Sequence, residues 1–312
     1  MISPELSVVI PCHNEEESVA QLLARIVEAV GKAGAVFEII FVDDGSSDGT
    51  SAVLEECANL DSRISYLSFS RNFGKEAAIL AGLRAARGSA VVLMDADLQH
   101  PPELVPVLLE RFRRGGVDQV LAKRDRRGDP AIRSFLSRRY YGIANLLVDD
   151  IRVEDGVGDF RLLSRDAVNA VLNLGERSRF SKGLMAWIGF TSDYVLYENQ
   201  VRKYGASSWR LSQLLNYSID GVISFNTKPL RIMAGIGLVS VLTSLLYVLF
   251  LIGRWFIFGT EAPGYITTIA LVTFLGGLQL LSLGVIGEYV GRIFLEVKKR
   301  PHYIVQSQSS GD

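Results

Sequence analysis

The sequence predicts an α/β protein, in which a mostly parallel sheet with helices on both faces is followed by two membrane-spanning helices. Two observations predict this architecture. Strand-like and helix-like segments alternate over the first hundred residues, and this order is typical of a parallel sheet. Two long uncharged stretches, residues 232–253 and 265–287, then occupy the last third of the chain, and each is long enough to cross a lipid bilayer.

The first half of the chain supplies the strands and helices of the predicted sheet. Short apolar runs are typical of buried strands, whereas apolar residues at three- and four-residue spacing are typical of amphipathic helices. The predicted strands are Leu6–Ile10, Glu38–Val42, Ile64–Phe69 and Ala90–Met94. The predicted helices are Glu16–Val30, a helix that is capped by Ser47 or Asp48 and ends at Ala58, and Lys75–Ala86.

Polar residues directly follow each of the four predicted strands. The polar segments are residues 11–16, 43–50, 70–75 and 95–101. Each segment alone is compatible with a turn rich in Asn and Asp. Four such segments along one edge of a sheet instead indicate a ligand site, because open α/β sheets bind ligands at the carboxyl ends of their strands.

Two carboxylates separated by one residue, Asp95 and Asp97, follow the fourth predicted strand. Carboxylates this close repel each other, so keeping both ionised calls for a cation. Oxygen ligands favour Mg²⁺ or Mn²⁺, which substrate phosphates commonly help to bind. The chain has no GxxxxGK[ST] loop and no GxGxxG motif, which argues against an ATPase and against a dinucleotide-dependent dehydrogenase.

The composition limits the partners and the compartment. The formal net charge of the 312 residues is −1, so we expect no general affinity for nucleic acid. The two cysteines, Cys12 and Cys57, cannot form a disulfide framework and are interpreted as small buried side chains in a reducing compartment. The N-terminus has no basic segment followed by an apolar run, so we expect no signal peptide.

The last third of the chain is predicted to form a membrane hairpin. Ile232–Gly253 is a run of 22 residues without a charge, and Tyr265–Gly287 is a second run of 23. A membrane-spanning helix needs roughly 20 apolar residues, and the short linker with Pro263 and Gly264 joins the two runs closely. The alternative is a pair of helices buried in a protein core. Two uncharged runs of this length in succession make that alternative less favourable.

Flanking charges predict the orientation of the hairpin. Basic residues precede the first span and follow the second, whereas the connecting loop carries one arginine and one glutamate. The positive-inside rule therefore places both ends, and with them the N-terminal domain, in the cytoplasm. Glu288 with Arg292 and Glu296 with Arg300 are spaced to form ion pairs on a second helix that continues into water.

Two further segments are predicted to meet the membrane. Leu211–Phe225 has apolar residues at helical spacing, which favours an amphipathic helix in the interface or one packed on the soluble domain. A basic stretch with two tyrosines, Tyr140 and Tyr141, is interpreted as a contact for phosphate groups and anionic headgroups, or else as a solvated helix face. Its arginines are Arg124, Arg126, Arg127, Arg133, Arg138 and Arg139.

Four motifs together resemble one family. They are VVIPCHNEEES at residues 8–18, VDDGSSDGT at 42–50, SRNFGKEAA at 70–78 and MDADLQHPPE at 94–103. The combination closely resembles the inverting polyprenyl-phosphate glycosyltransferases of the GT-A fold, such as dolichol-phosphate mannose synthase. The resemblance continues through GDFRL at 158–162 and RKYG at 202–205 into the hairpin, and it is greatest to the bacterial undecaprenyl-phosphate glucosyltransferases.

The resemblance implies roles for individual residues. Asp97 and Asp95 would bind the metal, Mg²⁺ or Mn²⁺, and Asp97 with Asp159 would be the catalytic residues, Asp159 as base or as positioning group. Ser208 stands where relatives often have lysine, so no role is carried over to it. The residues implied in nucleotide-sugar binding are Pro11, His13, Asn14, Glu15, Val42, Asp44, Asp95, Ala96, Gln99, Arg124 and Arg202.

The resemblance also implies the reaction and the domains. A hexose, with glucose from UDP-glucose expected, would pass to polyprenyl phosphate at the cytoplasmic face; GDP-mannose, UDP-N-acetylhexosamine and a UDP-aminoarabinose derivative stay open as donors. A processive polysaccharide synthase and a non-catalytic membrane scaffold are the alternatives, and a homo-oligomer is compatible with the sequence. The expected segments are a catalytic domain at 1–207, an interfacial segment at 208–229 and the hairpin with a short tail at 230–312.

Overall fold

An eight-stranded mixed sheet forms the centre of the soluble domain. The computed structural model describes residues 3–125, 156–177, 179–198, 228–258 and 264–309. The strands are β1 (Leu6–Cys12), β2 (Phe37–Asp43), β3 (Ile64–Phe69), β4 (Ala90–Leu93), β5 (Gln119–Asp125), β6 (Val157–Ser164), β7 (Ser192–Glu198) and β8 (Val305–Gln308). Their spatial order is β7-β5-β6-β4-β1-β2-β3-β8.

The helices lie mainly between successive strands. They are α1 (Glu16–Lys32), α2 (Thr50–Leu60), α3 (Lys75–Ala85), α4 (Val105–Arg113, after a 3₁₀ turn at Pro102–Leu104), α5 (Arg165–Asn173), α6 (Ser181–Trp187), α7 (Lys228–Phe258) and α8 (Tyr265–Val297). Strands β1 to β4 pair in parallel, as expected for strands joined by crossover helices.

Alternate residues of β1 enter two separate cores, because successive side chains of a strand point to opposite faces of the sheet. Val8 and Ile10 are fully buried with Leu22 of α1 on one face. Val9 is buried on the other face with Ile79 of α3. The domain therefore has three layers, helix, sheet and helix, and the predicted fold class is confirmed.

The predicted elements of the first half are present with small shifts at their ends. Strand β1 runs two residues beyond the predicted end at Ile10. The predicted caps of α2 were wrong, since α2 begins at Thr50 with Gly49 as its N-cap and without a side-chain cap. Asp48 instead accepts hydrogen bonds from the backbone N–H and the hydroxyl of Thr50.

Strand β6 runs antiparallel to its neighbour β4. The register pairs Leu93 with Arg161 and Ala90 with Ser164. The beginning of β6 therefore lies beside the end of β4, at the same sheet edge as the polar segments that follow β1 to β3. Continuing this register by two residues brings Asp95 opposite Asp159.

The C-terminal strand returns to the soluble domain. β8 pairs antiparallel with β3 and matches Val305 with Phe69. Tyr303, just before β8, stacks on the Phe69 ring at a centroid distance of 4.8 Å. The tail after α8 is therefore an edge strand of the N-terminal domain, which holds that domain at the end of α8.

Helices α7 and α8 are, in the part of the chain that the structure describes, the two that are long and apolar enough to cross a membrane. Their candidate spans are Leu230–Arg254 and Leu271–Val297, and none of the residues of the most apolar window of either helix is buried. Large apolar side chains such as Leu246 and Leu280 stand 67% and 72% exposed. Apolar surface of this extent is unfavourable in water, so both helices suit a membrane protein.

The second helix continues beyond its uncharged stretch. Arg292 lies 3.4 Å from Glu288 in the predicted ion pair. The helix ends at Val297, so Arg300, the partner predicted for Glu296, lies beyond the helix. The predicted interfacial helix Leu211–Phe225 falls outside the described residues.

Candidate active site

Hydrogen bonds join the loops that follow β1 and β2. The backbone N–H of Asn14 donates to the Ser46 hydroxyl at 2.9 Å, and Asn14 Oδ1 accepts from the backbone N–H of Ser47 at 2.8 Å. His13 Nδ1 donates to the carbonyl oxygen of Asp44 at 3.0 Å. Asn14 adopts a φ of +54°, a backbone conformation that Asn tolerates better than most residues.

The first turn of α1 is attached to the same loop. The backbone N–H of Glu15 donates to the Thr50 hydroxyl at 2.9 Å, and Glu16 Oε2 accepts from the backbone N–H of Gly49 at 3.0 Å. Both glutamates lie near the N-terminus of α1, where the helix dipole favours negative charge. Three of the residues implied in nucleotide-sugar binding, His13, Asn14 and Glu15, thus belong to a loop held by hydrogen bonds, and Pro11 precedes it in β1.

The Asp44 carboxylate connects this loop to the segment after β3. Its Oδ1 accepts from the backbone N–H of Phe73 at 2.7 Å, and its Oδ2 accepts from that of Gly74 at 2.9 Å. Burial raises the pKa of Asp44, and the donors of Phe73 and Gly74 oppose that rise only in part. Asp44 therefore holds three of the four polar segments in one arrangement.

Gly45 sits where these segments come closest. It has a φ of +63°, and a Cβ there would lie 2.3 Å from the backbone carbonyl carbon of Arg71. We expect Gly45→Ala to lower the free energy of unfolding by at least about 2 kcal/mol, because an unfavourable φ adds to a clash with rigid backbone. Chemical denaturation checks this expectation, and Gly175→Ala, at a position with open space, is the control; equal stabilities of the two variants would contradict it.

A lysine lies between the carboxylates after β4 and at the start of β6. Lys75 Nζ lies 2.6 Å from Asp95 Oδ1 and 2.7 Å from Asp159 Oδ2. The Asp159 side chain is 13% exposed, whereas the Lys75 side chain is 38% exposed. The ammonium group therefore neutralises two carboxylates at the mouth of the site.

The cluster sets the ionisation of its members. Burial raises the pKa of Asp159, but the charges of Lys75, Lys182 and Arg161 outweigh burial and hold that pKa well below its usual range. Burial likewise opposes ionisation of Asp95, and Lys75 reverses the effect. Desolvation lowers the pKa of Lys75, and the two carboxylates raise it more. All three groups are therefore charged at neutral pH.

Asp97 lies in a tight turn after β4. Its Oδ1 accepts from the backbone N–H of Gln99 at 3.1 Å, and the intervening Leu98 has a φ of +60°. His100 Nδ1 accepts from the backbone N–H of Asp95 at 3.1 Å, and its ring stacks on Phe160 at 4.9 Å. Because burial lowers the pKa of His100, the neutral ring fixes this turn by stacking and by its hydrogen bond.

The carboxylates of Asp95 and Asp97 suit a divalent cation that takes its remaining ligands from a bound phosphate group. The described residues contain no group of three or more His, Cys, Asp or Glu side chains placed to hold a metal ion by themselves. Mg²⁺ is usually bound by one or two carboxylates plus substrate phosphates. Asp95 already pairs with Lys75, whereas Asp97 forms only the hydrogen bond with Gln99 among the described residues, so Asp97 is the better-placed carboxylate.

The other residues that the sequence singled out lie in several places. Ala96 is buried, and Val42 is fully buried in the core, so Val42 offers only its backbone to a ligand. Pro11 pairs with Val42 in the register of β1 and β2. Arg124, on β5, pairs with Tyr197 of β7. Arg202, the predicted interfacial helix and the basic stretch after Arg124 lie outside the described residues.

Lys75, the last residue of the polar segment 70–75, and its neighbour Glu76 were not among the predicted site residues. Glu76 accepts hydrogen bonds from the backbone N–H and the hydroxyl of Ser181, and this contact positions α6 beside the cluster. One signal for Lys75 was present, since it is the first residue of α3. A lysine is unfavourable at a helix N-terminus, so its presence there points to an acidic partner.

Two parts of the chain match known protein families. Residues 7–172 match Glycosyl transferase family 2, and residues 228–293 match the GtrB C-terminal hairpin. CsbB of Bacillus subtilis (strain 168), described as a glycosyltransferase, is 49% identical over 301 residues, which cover 96% of this chain and 91% of CsbB. The SfII prophage-derived bactoprenol glucosyl transferase of Shigella flexneri is 40% identical over 309 residues, which cover 99% of both chains.

A solved structure supports the fold. The mannosyl-3-phosphoglycerate synthase from Rubrobacter xylanophilus has a TM-score of 0.50 at 21% sequence identity, over 73% of this chain and 74% of that chain. At this identity the likeness concerns the fold alone, which is of the GT-A type. With a family match over more than half of the chain and relatives that cover nearly all of it, the protein belongs to glycosyl transferase family 2 and carries the GtrB C-terminal hairpin.

Proposed function

We propose that the protein transfers glucose from UDP-glucose to a polyprenyl phosphate at the cytoplasmic face of the membrane. The observation that carries the proposal is the cluster of Lys75, Asp95 and Asp159 at one sheet edge, with Asp97 in the adjoining turn, in a chain that aligns over nearly its whole length with a bactoprenol glucosyl transferase. The hairpin supports a lipid acceptor, because α7 and α8 suit insertion into the bilayer.

The acceptor needs little activation. A phosphate monoester has a second pKa near ~6, so its oxygens are already mostly ionised at neutral pH. In the proposed step one of these oxygens attacks the anomeric carbon, the bond from that carbon to the diphosphate breaks, and UDP leaves from the opposite side. The anomeric configuration is thereby inverted.

This chemistry favours a positioning role for Asp159 over that of a general base. A base works best with a pKa near the working pH, whereas Lys75 and its cationic neighbours hold the pKa of Asp159 far below that range. We propose that the Lys75–Asp159 pair orients the groups around the acceptor phosphate. Lys182 adds a second positive charge near Asp159, which suits a dianionic acceptor.

The leaving diphosphate carries the charge that develops in the step. A divalent cation, Mg²⁺ or Mn²⁺, held by Asp97 with Asp95 would neutralise that charge. The loop of His13, Asn14, Glu15 and Asp44 is proposed to hold the nucleoside. On the basis of the family resemblance, we propose that Gln99 contacts the donor sugar. Arg124 and Arg202 are proposed on the same basis to contact phosphate.

Charge and topology support the cytoplasmic face. Basic residues flank both outer ends of the hairpin, which favours the cytoplasm for those ends. Because β8 follows α8 and joins the sheet of the catalytic domain, the domain lies on the side of the membrane where α8 ends. The donor would therefore be drawn from the cytoplasm.

To test the proposal, membranes that contain the protein are incubated with a polyprenyl phosphate and with Mn²⁺ or Mg²⁺. One radiolabelled nucleotide sugar is added to each reaction. We expect label from UDP-glucose in the organic extract, and its loss with a chelator or in the Asp97→Asn variant. Lipid-soluble label from GDP-mannose or a UDP-N-acetylhexosamine instead would support the proposed type of reaction but would show that UDP-glucose is not the donor. Label in a polymer would favour a processive synthase, and absence of label with every donor would overturn the proposal.

A further inference from the structure

A cavity lies between α6 and the sheet. Its volume is about 300 Å³, which is at the lower end of the range of about 300–1,000 Å³ that small-molecule pockets cover. Two cationic side chains, Arg161 and Lys182, belong to its wall. The cavity therefore combines positive charge with apolar surface, because much of the remaining wall is formed by Leu121, Val157, Met185, Ala186 and Phe190.

The cavity adjoins the acidic cluster. Asp159 and Arg161 are separated by one residue on β6, so their side chains point to the same face of the sheet and their Cα atoms lie about 7 Å apart. Burial raises the pKa of Asp159, and the positive charges of Lys75 and Lys182 lower it. Lys182 therefore lies close enough to act on the same carboxylate as Lys75.

Lys182 has no ion-pair partner in the described part of the chain. Its side chain is half-buried and forms no ion pair or hydrogen bond with any residue in the described ranges. Arg161, in contrast, is held in place, since its Nη2 donates to the carbonyl oxygen of Gly158 at 2.7 Å. Three cations, Lys75, Lys182 and Arg161, act on Asp159. The cationic excess on this side of the carboxylate suits an anionic ligand.

A buried carboxylate fixes the position of Lys182. Ser181, the first residue of α6, donates its backbone N–H to Glu76 Oε2 at 2.9 Å, and its hydroxyl donates to the same oxygen. Glu76 directly follows Lys75 at the start of α3. One turn of α3 thus holds Asp159 through Lys75 and holds α6 through Glu76, which keeps Lys182 beside the cluster.

The order of the strands places the cavity on the side of the site that faces away from the nucleoside. The proposed nucleoside loop follows β1 and β2, and Asp97 follows β4. In the sheet, β6, β5 and β7 lie on the other side of β4 from β1 and β2, and these three strands line the cavity. A donor whose diphosphate meets the metal at Asp97 therefore directs its sugar towards β6. The acceptor must approach from that direction, because it attacks opposite the diphosphate.

We propose that this cavity binds the acceptor phosphate together with the first part of the prenyl chain, and that Lys182 is the residue that binds the phosphate. The inference rests on the proposed function, since it assigns the place of the lipid phosphate within the same site. The Lys182 ammonium group donates to a phosphate oxygen and exchanges no proton in the step. The apolar wall around Met185 and Phe190 covers the start of the prenyl chain, which a purely hydrophilic phosphate would not use.

Binding of a prenyl phosphate to the full-length protein in detergent tests the inference without turnover. The probe is farnesyl phosphate, titrated by calorimetry. Lys182→Gln should weaken its binding at least about tenfold, because the variant loses a charge-assisted hydrogen bond to the phosphate. In transfer assays the same variant should raise the KM for polyprenyl phosphate and leave the KM for UDP-glucose unchanged. Lys182→Arg, which keeps the positive charge, should recover most of the affinity.

A second pair of variants tests the cavity with Lys182 in place. Ala186 lines the cavity one helical turn after Lys182, and it is exposed, so substitution there leaves the core intact. Ala186→Glu puts a carboxylate within reach of Lys182, where it competes with phosphate for the ammonium group and repels it. Ala186→Gln has the same size without the charge. We expect farnesyl phosphate to bind about fivefold more weakly to Ala186→Glu than to Ala186→Gln.

The controls separate the inference from loss of fold and from the donor. Lys32→Gln, the same change at the surface of α1, should bind farnesyl phosphate like wild type, and thermal unfolding verifies that each variant is folded. A higher KM for UDP-glucose with an unchanged KM for polyprenyl phosphate would assign Lys182 to the donor and overturn the inference. Inorganic phosphate that competes as well as farnesyl phosphate would overturn the place of the prenyl chain.

The outcomes for the inference and for the proposed function can be told apart. Equal binding of farnesyl phosphate by wild type, Lys182→Gln and Ala186→Glu would overturn the inference and leave the proposed function standing. Weaker binding in both variants without transfer from UDP-glucose would support the acceptor site and correct the proposed donor. A wild-type protein that binds no prenyl phosphate would refute both.

Discussion

Asp97→Asn is expected to reduce sugar transfer by about 10²–10³-fold, which corresponds to the several kcal/mol that a bound cation contributes to charge stabilisation. Asparagine keeps the shape of the side chain and can still accept from the backbone N–H of Gln99. The turn should therefore persist while the carboxylate charge is lost. Initial rates of transfer, together with Mn²⁺-dependent binding of UDP measured by calorimetry, check both effects.

A matched control for this variant is available on the opposite edge of the sheet. Asp61 lies in the turn before β3 and pairs with Arg63 at 2.6 Å, so Asp61→Asn removes the same charge far from the site. We expect its transfer rate to stay close to that of wild type. A fully active Asp97→Asn protein that binds UDP with undiminished dependence on Mn²⁺ would refute the assignment of Asp97 as the metal ligand.

Lys75→Gln is expected to affect both stability and activity. Glutamine leaves Asp95 and Asp159 as neighbouring carboxylates without the cation between them. Removing one partner of a fully buried ion pair costs about 3–5 kcal/mol. Because the Lys75 side chain is 38% exposed, solvent screens part of this effect, and we expect a loss of about 1–3 kcal/mol in the free energy of unfolding at pH 7.

The pH dependence of stability should differ between this variant and the wild type. In the wild type the pKa of Asp159 lies below its unfolded value of ~3.9, so its contribution is present at neutral pH and is lost as pH falls through the folded pKa. Without Lys75, only Lys182 and Arg161 among these charges remain to oppose burial and the neighbouring carboxylate, so the folded pKa of Asp159 should rise from its wild-type value. The variant should then gain stability relative to wild type as pH falls from 7 towards 4.

Urea denaturation at several pH values tests this expectation. Adding Asp159→Asn to Lys75→Gln should restore part of the lost stability, because one of the two carboxylates is then neutral. Lys32→Gln is the control, since Lys32 lies on the exposed face of α1 and its ion pair with Glu28 lies at the helix surface. A Lys75→Gln protein as stable as wild type from pH 4 to pH 7 would contradict the proposed role of the lysine.

The sequence predicted the first half of the domain well, for a local reason. The segments around Val8, Ile40 and Val92 are buried on both faces of the sheet, so each strand is a continuous apolar run between polar segments. Such runs are recognisable without knowledge of their neighbours. The two C-terminal helices were recognisable for a similar reason, because the bilayer sets a minimum length for an uncharged helix.

Residues that act through distant partners were harder to predict. Lys75 and Asp159 are 84 residues apart in the chain, and no local pattern relates them. Asp44 was expected to contact a nucleotide, and its hydrogen bonds to Phe73 and Gly74 became visible only in the folded chain. Strand β8 was predicted to be part of the C-terminal tail, because a strand of four residues is too short to show a clear alternation of apolar and polar residues.

The sequence by itself determined the fold class, the parallel arrangement of the first four strands, the two apolar helices and the position of Asp95 and Asp97 at the sheet edge. These features follow from apolar periodicity and from the rule that strand ends carry the ligand site, both of which are local. Tertiary structure decided that β6 runs antiparallel and brings Asp159 to Lys75, and that β8 returns the chain after α8 to the sheet. Pairing between distant strands depends on the packing of the whole domain, so the charge balance of the site and the docking of the domain at the membrane helix emerge only there.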